Sequence, residues 1–350
     1  MKYSATTIGL DIAKHSFYAV GVDKGRHEVL KRKLTRAQVV AFFRAHPPAS
    51  IGIEACAGAH YWARTLNALG HDVRLIAAQH VSRRVVGNKN DYRDAQVIAE
   101  LRGNPEMPFV PINTEPQQDI QMLHRVRARL VTHRTALVLQ IRGLLGEYGA
   151  VFAPGVRSLR QGLAQVLGGE HLSLSASALE TFADLYGQLQ QLDEQVRGYD
   201  QRIQLLAQQD ETVARLMAMP GIGPLNGTAL LASLGTARHF RAGRIFALNL
   251  GLTPREFSTG GKQRLFGISK RGDRYLRTLL IHGARSALRC AEGKPDRLLQ
   301  WALRLKEAKG FNVAACALAN KLARVAWALV AHDRQYQPQG VAVTASTAHE

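Results

Sequence analysis

The sequence is poor in cysteine, in acidic residues and in unbroken apolar runs, and each shortage removes a class of protein. Its three cysteines, Cys56, Cys290 and Cys316, form neither a CxxC pair nor a Cys/His cluster with zinc-ligand spacing. A disulfide framework and a zinc ribbon are thereby excluded, and the expected state is buried free thiols in a reducing compartment. Met1-Lys2-Tyr3-Ser4 runs straight into a strand pattern with no secretory leader, and the most apolar late stretch, Val313 to Val330, is broken by Lys321 and Arg324. That stretch reads as a packed helix, no membrane span is expected, and the protein reads as cytoplasmic. Acids are outnumbered, 27 Asp+Glu against 46 Lys+Arg, for a formal charge of +19. Such a field suits a polyanionic partner and is far from what a small-metabolite enzyme needs, so nucleic acid is expected.

The charge is partitioned along the chain. Residues 1–110 carry 16 basic and 9 acidic side chains, residues 111–210 carry 9 and 10, and residues 211–350 carry 21 and 8. A length of 350 residues accommodates about two to three domains. In the first segment, strand-like runs from Thr6 to Val22 and from His27 to Leu34 flank the turn Asp23-Lys24-Gly25. Helical patterning from Arg36 to His46, a strand Ser50 to Glu54, a helix around Tyr61 to Leu69 and a strand Asp72 to Ala77 follow. This β-β-β-α-β-α-β order predicts a ribonuclease-H-like α/β domain.

From Gln117 the periodicity becomes helical. Ile120, Leu123, Val126, Leu130, Leu137, Ile141 and Leu144 form one stripe. Phe182, Leu185, Leu189, Leu192, Val196, Tyr199, Ile203 and Leu206 form a coiled-coil seam, opened by a capping box at Ser177 and Glu180. An antiparallel hairpin within one chain and a dimer interface both satisfy this pattern. Near Thr212 a third segment begins, in which Pro220-Gly221-Ile222-Gly223 leads into a helix from Leu225 to Leu234. This resembles the turn of a helix-hairpin-helix, where Gly221 and Gly223 would let backbone N–H groups approach a DNA phosphate; a plain interhelical turn has the same pattern. The resulting division is 1–110 catalytic α/β domain, 111–210 helical hairpin, 211–335 mainly α domain and 336–350 loose tail.

Against the basic background, four acids in the first third have the settings of a metal-dependent phosphodiester site. Asp11 lies inside Thr7-Ile8-Gly9-Leu10-Asp11-Ile12, Glu54 ends Ser50-Ile51-Gly52-Ile53-Glu54, and Asp91 and Asp94 are three apart in Asn90-Asp91-Tyr92-Arg93-Asp94-Ala95. Asp11 and Glu54 are expected on adjacent strands, and a helix starting near Asn90 gives Asp91 and Asp94 one face. Mg²⁺ takes hard oxygen ligands, and a pair of such ions serves in-line displacement at phosphorus. Singly, each acid has a plain structural reading: a strand end, a solvated carboxylate, a helix cap. Together with the charge and the strand order, the metal reading is favoured. The segment Ile8-Gly9-Leu10-Asp11-Ile12 also resembles the first phosphate motif of actin-like kinases, but the second glycine-rich loop and the adenosine motif are missing.

The second chemical candidate is the run from Leu250-Gly251-Leu252-Thr253-Pro254-Arg255-Glu256-Phe257 through Ser258-Thr259-Gly260-Gly261-Lys262 to Gly267-Ile268-Ser269-Lys270-Arg271-Gly272-Asp273. Adjacent hydroxyls beside two glycines, surrounded by Arg255, Lys262, Arg264, Lys270, Arg271 and Arg274, suit either a phosphate-binding loop or a serine nucleophile.

Gly9-Leu10-Asp11, Ile53-Glu54-Ala55, Lys89-Asn90-Asp91-Tyr92-Arg93-Asp94-Ala95, Pro220-Gly221-Ile222-Gly223 and Gly251-Leu252-Thr253-Pro254 through Gly272-Asp273 together resemble the DEDD transposases of the insertion-sequence 110 family. The form Ser258-Thr259-Gly260-Gly261-Lys262 is closer to its 1111 subgroup, and the family is also similar to the Piv DNA invertases. The resemblance spans nearly the whole chain in order. It implies a RuvC-like domain, a coiled-coil segment and a C-terminal transposase domain with a catalytic serine. It further implies Mg²⁺ held by Asp11, Glu54, Asp91 and Asp94, two ions per site with Mn²⁺ able to substitute. Its implied partners are donor and target DNA, a structured bridge RNA, and further copies of the chain in a dimer or tetramer, where one protomer's carboxylates meet another's serine. The protein would then be bacterial and nucleoid-associated. In some members a single serine directly precedes the loop glycine; here Thr259 holds that place and Ser258 stands one residue earlier, so Ser258 is favoured as nucleophile and Thr259 is the alternative.

The expected function is therefore a recombinase that cuts and rejoins DNA to mobilise an insertion sequence. A metal-dependent junction resolvase or nuclease using water is the first alternative, and a non-catalytic nucleic-acid-binding protein the second.

Overall fold

The computed structural model describes residues 5–84, 90–169 and 174–338. The chain divides into two compact units, Met1–Glu115 and Pro116–Glu350. The first contains β1 (Thr7–Ile12), β2 (Ser16–Val22), β3 (Glu28–Thr35), α1 (Gln38–Ala45), β4 (Ser50–Glu54), α2 (Ala59–Ala68), β5 (Asp72–Ile76), α3 (Ala78–Ser82), α4 (Asp91–Arg102) and β6 (Phe109–Val110). They form a sheet of order β3-β2-β1-β4-β5-β6, in which β1 is antiparallel to β2 and parallel to β4. Alternation along each strand builds two unequal faces. On one, Ile8, Leu10, Phe17, Ile51, Ile53 and Leu75 are buried with Val39 and Phe43 of α1 and Trp62, Ala63 and Leu66 of α2. Each such large side chain contributes about 1.5–3 kcal/mol by leaving water.

The other face is stripped of bulk where it matters. Gly9 of β1 pairs in register with Gly52 of β4, and α4 rests on the two. A Cβ on Gly9 would stand 1.8 Å from the Ala95 carbonyl oxygen and 2.4 Å from the Ala99 nitrogen. One on Gly52 would meet Ile98 and Arg102 at 3.0 Å. Only glycine lets the helix backbone lie this close to the strands. The unit is the ribonuclease-H-like α/β fold that the strand order predicts. The two-residue β6 was not expected from the sequence; it is too short to carry an alternation.

The second unit holds α5, α6 (Val156–Leu167), α7 (Ala176–Gln209), α8 (Glu211–Met217), α9 (Pro224–Leu234), α10 (Gly243–Asn249), β7 (Pro254–Glu256), β8 (Leu265–Ile268), α11 (Arg274–Arg289), α12 (Arg297–Lys309) and α13 (Phe311–Ala331), where α5 is the helix Glu115–Gly146. It is mainly helical and has two apolar clusters. One joins Leu137, Ile141 and Leu145 of α5, Leu159 and Leu163 of α6, and Phe182, Leu185 and Leu189 of α7. The other joins α8 to α13. Arg134 pairs with Asp193 and Arg127 with Asp200. One heptad down α5 is thus one heptad up α7, so the seam is closed by an antiparallel partner in the same chain.

Two expectations need correction. The α7 N-cap is Ser175, whose hydroxyl accepts from the Ala178 N–H at 3.2 Å. Ser177 already lies inside the helix, where its carbonyl accepts from Thr181, so Ser177 and Glu180 form no capping box. The cysteines are free but not buried: Cys56 and Cys290 are exposed and Cys316 is half-buried. The tail expected from 336 is described only to 338, and residues 339–350 lie outside the described residues, as does Lys89 of the Lys89–Ala95 motif. The helix α13 is long and apolar enough to cross a membrane by length and composition. Here it supplies Ala314, Ala315, Leu318, Ala319, Leu322, Ala323, Ala326 and Leu329 to the core of its unit.

Candidate active site

The glycine pair explains how the acids meet. Two residues beyond Gly9 comes Asp11, two beyond Gly52 comes Glu54, and the β1–β4 register, which runs through Leu10↔Ile53, makes them neighbours one step on. By the period of two, both carboxylates lie on the face that carries α4. That helix begins at Asp91 because Asn90, in extended conformation, accepts from the Tyr92 N–H at 3.0 Å. Asp91 and Asp94 stand in its first turn, where the positive end of the helix dipole favours negative charge. Carboxylate oxygens of Asp11, Asp91 and Asp94 lie within 4.8 Å of one another, each residue half-buried. Glu54 is outside this triad but beside it. Although Cys56 is exposed as a residue, partial desolvation of its thiol raises the pKa above the ordinary value, and the negative charges of Glu54 and then Asp11 raise it further. Three hard oxygen donors converging from a strand and a helix turn fit a divalent cation.

The serine segment is a β-hairpin. Strands β7 and β8 pair antiparallel, and the chain reverses at Thr259-Gly260-Gly261-Lys262. Both glycines have positive φ, 56° and 73°, and Lys262 N–H donates to the Thr259 carbonyl at 3.1 Å. A left-handed pair in a two-residue loop is the geometry that matches strand twist, which is why two glycines stand there. The Ser258 hydroxyl donates to Glu256 Oε1 at 2.6 Å and accepts from the Arg264 N–H at 3.4 Å, while Gln263 Nε2 donates to the same Glu256 oxygen at 3.3 Å. Arg255, Lys262, Arg264, Lys270, Arg271 and Arg274 are all exposed on the hairpin or at its root. The root is rigid. A Cβ on Gly272 would meet the Asn249 carbonyl at 1.8 Å, one on Gly251 the Arg271 carbonyl at 2.1 Å. The buried Arg277 donates to the carbonyls of Leu250 and Arg271 at 2.8 and 3.2 Å.

At the candidate helix-hairpin-helix turn the two glycines differ. Gly221 has φ +80° and faces Gly283 of α11, whose carbonyl a Cβ would approach to 2.3 Å, so close helix packing accounts for it. Gly223, the N-cap of α9, has open space around its α-carbon.

Sequence reasoning missed Glu256 as the partner of Ser258 and missed the tyrosine pair Tyr18–Tyr92 beside the acids, rings 4.9 Å apart and nearly perpendicular. The parallel Gly-x-Asp and Gly-x-Glu spacing at 9–11 and 52–54 was a legible signal for the helix seat. Nothing in the sequence marks the tyrosine contact, which depends on how α4 lies across β2.

A ribonuclease-H-like sheet carrying an acidic cluster, followed by a helical unit, defines the class of DEDD transposases. Residues 8–150 match the DEDD transposase model of the IS110 type, and residues 213–299 match the family described as transposase IS116/IS110/IS902. The chain is 48% identical over 332 residues to a probable family 20 transposase of Pseudomonas aeruginosa, covering 95% of this chain and 98% of that one. It is 40% identical over 330 residues to the transposase for insertion sequence element IS1111A of Coxiella burnetii, covering 94% and 91%. It is 38% identical over 324 residues to the transposase for IS1328 of Yersinia enterocolitica, covering 93% and 96%. The chain belongs to the IS110/IS116/IS902 family of transposases, and is a DNA-cutting, strand-transferring enzyme of insertion-sequence mobilisation.

Proposed function

We propose that this transposase cuts DNA through a covalent phosphoserine at Ser258, with Mg²⁺ held by Asp11, Asp91, Asp94 and Glu54, and that a bridge RNA selects the sites. The observation that carries the metal site is the convergence of the Asp11, Asp91 and Asp94 oxygens within 4.8 Å. Asp11, Asp91, Asp94 and Glu54 would hold Mg²⁺, or Mn²⁺ in its place, and the bound metal would supply positive charge against the scissile phosphate and the leaving oxygen. The chain's own groups do the rest. Ser258 Oγ attacks phosphorus, the 3′ oxygen leaves, and the new phosphoserine bond keeps the strand end activated for rejoining. The short hydrogen bond to Glu256 supports Ser258 over Thr259, because it orients the hydroxyl and offers a carboxylate to take its proton. Arg255, Lys262, Arg264, Lys270, Arg271 and Arg274 grip the sugar-phosphate backbone, with the Gly223 helix start as a further phosphate contact.

These basic contacts supply affinity with little sequence information, so a paired RNA is the natural source of specificity. In this reading residues 111–210 serve as the coiled-coil segment and residues 211–335 as the serine domain of a dimer or tetramer. One protomer's acids would act with another's serine, inside the bacterial cytoplasm at the nucleoid. The test is excision of a plasmid-borne element by purified protein with its copurifying RNA. Asp11→Asn, Asp94→Asn and Ser258→Ala should each abolish it. Cleavage surviving in Ser258→Ala would favour a water-using nuclease, and copurification of random cellular RNA would remove the guide.

A further inference from the structure

Beside the acids, on the same face of the sheet, lies a patch that the reaction described above does not use. The registers β1–β2 and β2–β3 place Lys33, Tyr18 and Asp11 in one row across three strands. Lys31, two residues from Lys33, shares their face. Tyr92 comes down onto it from α4, between the acids of the first helical turn, and meets Tyr18 edge to face at 4.9 Å. The Lys31 ammonium stands 4.9 Å from the centre of the Tyr92 ring, and the Lys33 ammonium 5.5 Å from that of Tyr18. Both lysines are exposed and both tyrosines half-buried.

We propose that Lys31, Lys33, Tyr18 and Tyr92 form a platform that holds the DNA strand immediately flanking the scissile phosphate. The lysines would contact its phosphates and the ring pair would stack against an unpaired base. Three features argue for this over plain packing. Among the described residues neither lysine pairs with a carboxylate; each ammonium instead stands against a tyrosine ring, a contact that holds it near the acids without neutralising its charge. Neighbouring strands are about 4.8 Å apart, so the β3 lysines lie roughly 10 Å from the strand of Asp11, within a few nucleotides' reach of a phosphate held there. Aromatic faces beside a cationic track are how a single strand is held without regard to sequence, and a strand that is exchanged between duplexes is locally unpaired. Tyr92 also adjoins Asp91 in the chain, so a base stacked on it is tied to the geometry of the acidic cluster.

The inference rests on the reading that DNA is cut at the acids, and its test separates the two. Full-length protein with its copurifying RNA is mixed, in Ca²⁺, with an oligodeoxynucleotide spanning the element end and carrying 5-iodouracil at successive positions. Irradiation should crosslink Tyr18 or Tyr92 from positions within a few nucleotides of the cut. In parallel, the Lys31→Gln/Lys33→Gln pair should lower the slope of log affinity against log salt by about 1.4, as expected for two lost single-strand phosphate contacts. In Mg²⁺ that pair should raise KM several-fold with kcat largely unchanged. Crosslinks that form elsewhere but never at either tyrosine would overturn the platform. So would an unchanged salt slope, including one accompanied by a lowered melting temperature, which would make the lysines structural only. Asp11→Asn controls the underlying reading: if that variant still cuts, the metal site is wrong. If it is dead while the lysine variant matches wild type in slope and KM, the platform alone fails.

Discussion

Substituting alanine for Gly9 should disable the enzyme without touching a chemical group. The added methyl would sit 1.8 Å from the Ala95 carbonyl oxygen and 2.4 Å from the Ala99 nitrogen. Both obstacles are helix backbone, which no rotamer change can remove. To restore ordinary contact α4 has to withdraw by about 1.5 Å, carrying Asp91 and Asp94 away from Asp11. Overpacking of this kind costs about 1–3 kcal/mol of stability, a loss of several degrees in melting temperature for a unit of this size. The functional loss should be larger. A displacement of about 1 Å in positioned groups lowers rate roughly a hundredfold. Gly52→Ala, whose methyl would meet its neighbours at 3.0 Å, should show the same effect in milder form. The assay is element-end cleavage in Mg²⁺, with thermal melting on the same samples. A Gly9→Ala protein that is folded and cuts at the wild-type rate would refute the claim that α4's seat sets the acid geometry.

Other substitutions test the second unit. His124 is buried, bonded through Nδ1 to the Tyr275 hydroxyl and through Nε2 to Thr228, each at 2.9 Å, and desolvation with the nearby Arg127 charge lowers its pKa to about 4. Because the folded value lies below the unfolded value near 6.5, this contribution is complete above that pH and fades as pH falls toward 4. It amounts to about 3 kcal/mol. Denaturant melts at pH 7 and 4.5 should show His124→Gln losing less on acidification than wild type; equal losses would contradict the assignment. Arg277→Met leaves the carbonyls of Leu250 and Arg271 without their donor and should destabilise by about 1–3 kcal/mol per orphaned group, with cleavage falling as the hairpin root loosens. Gly143→Ala, where no atom stands within 4 Å of the new methyl, should raise stability by about 0.8–1 kcal/mol and leave cleavage unchanged.

Much of the first unit was written in local pattern. Alternation marks the strands, Asp23-Lys24-Gly25 the reversal before β3, and Asn90 the start of α4, so that the helix turn carrying Asp91 and Asp94 is legible in the sequence itself. Their meeting with Asp11 follows from sheet order, and sheet order follows from the β-β-β-α-β-α-β succession. The stripes of α5 and α7 were equally plain, but whether they met within one chain was not. Charge pairing settled it, and Arg134–Asp193 could not be matched until the register was known.

What escaped the sequence depended on long-range contact or on competition between similar residues. Ser175 and Ser177 are equivalent as letters, and only the path of the loop chose the cap. Glu256 ends β7 and Ser258 stands two residues beyond it on the same arm of the hairpin, where its hydroxyl reaches back to the carboxylate. The contact of Tyr18 with Tyr92 joins positions far apart in sequence and has no local signature.

The most direct test of the central claim is to trap the enzyme on DNA and ask where the phosphate is attached. Element-end DNA labelled on the strand, incubated with protein, RNA and Mg²⁺, is run on a denaturing gel and the retained protein digested for mass spectrometry. The account predicts a covalent adduct on the peptide containing Ser258, lost in Ser258→Ala and in Asp11→Asn alike. Cut DNA with free ends and no adduct, or an adduct on Thr259 with Ser258→Ala fully active, would contradict it.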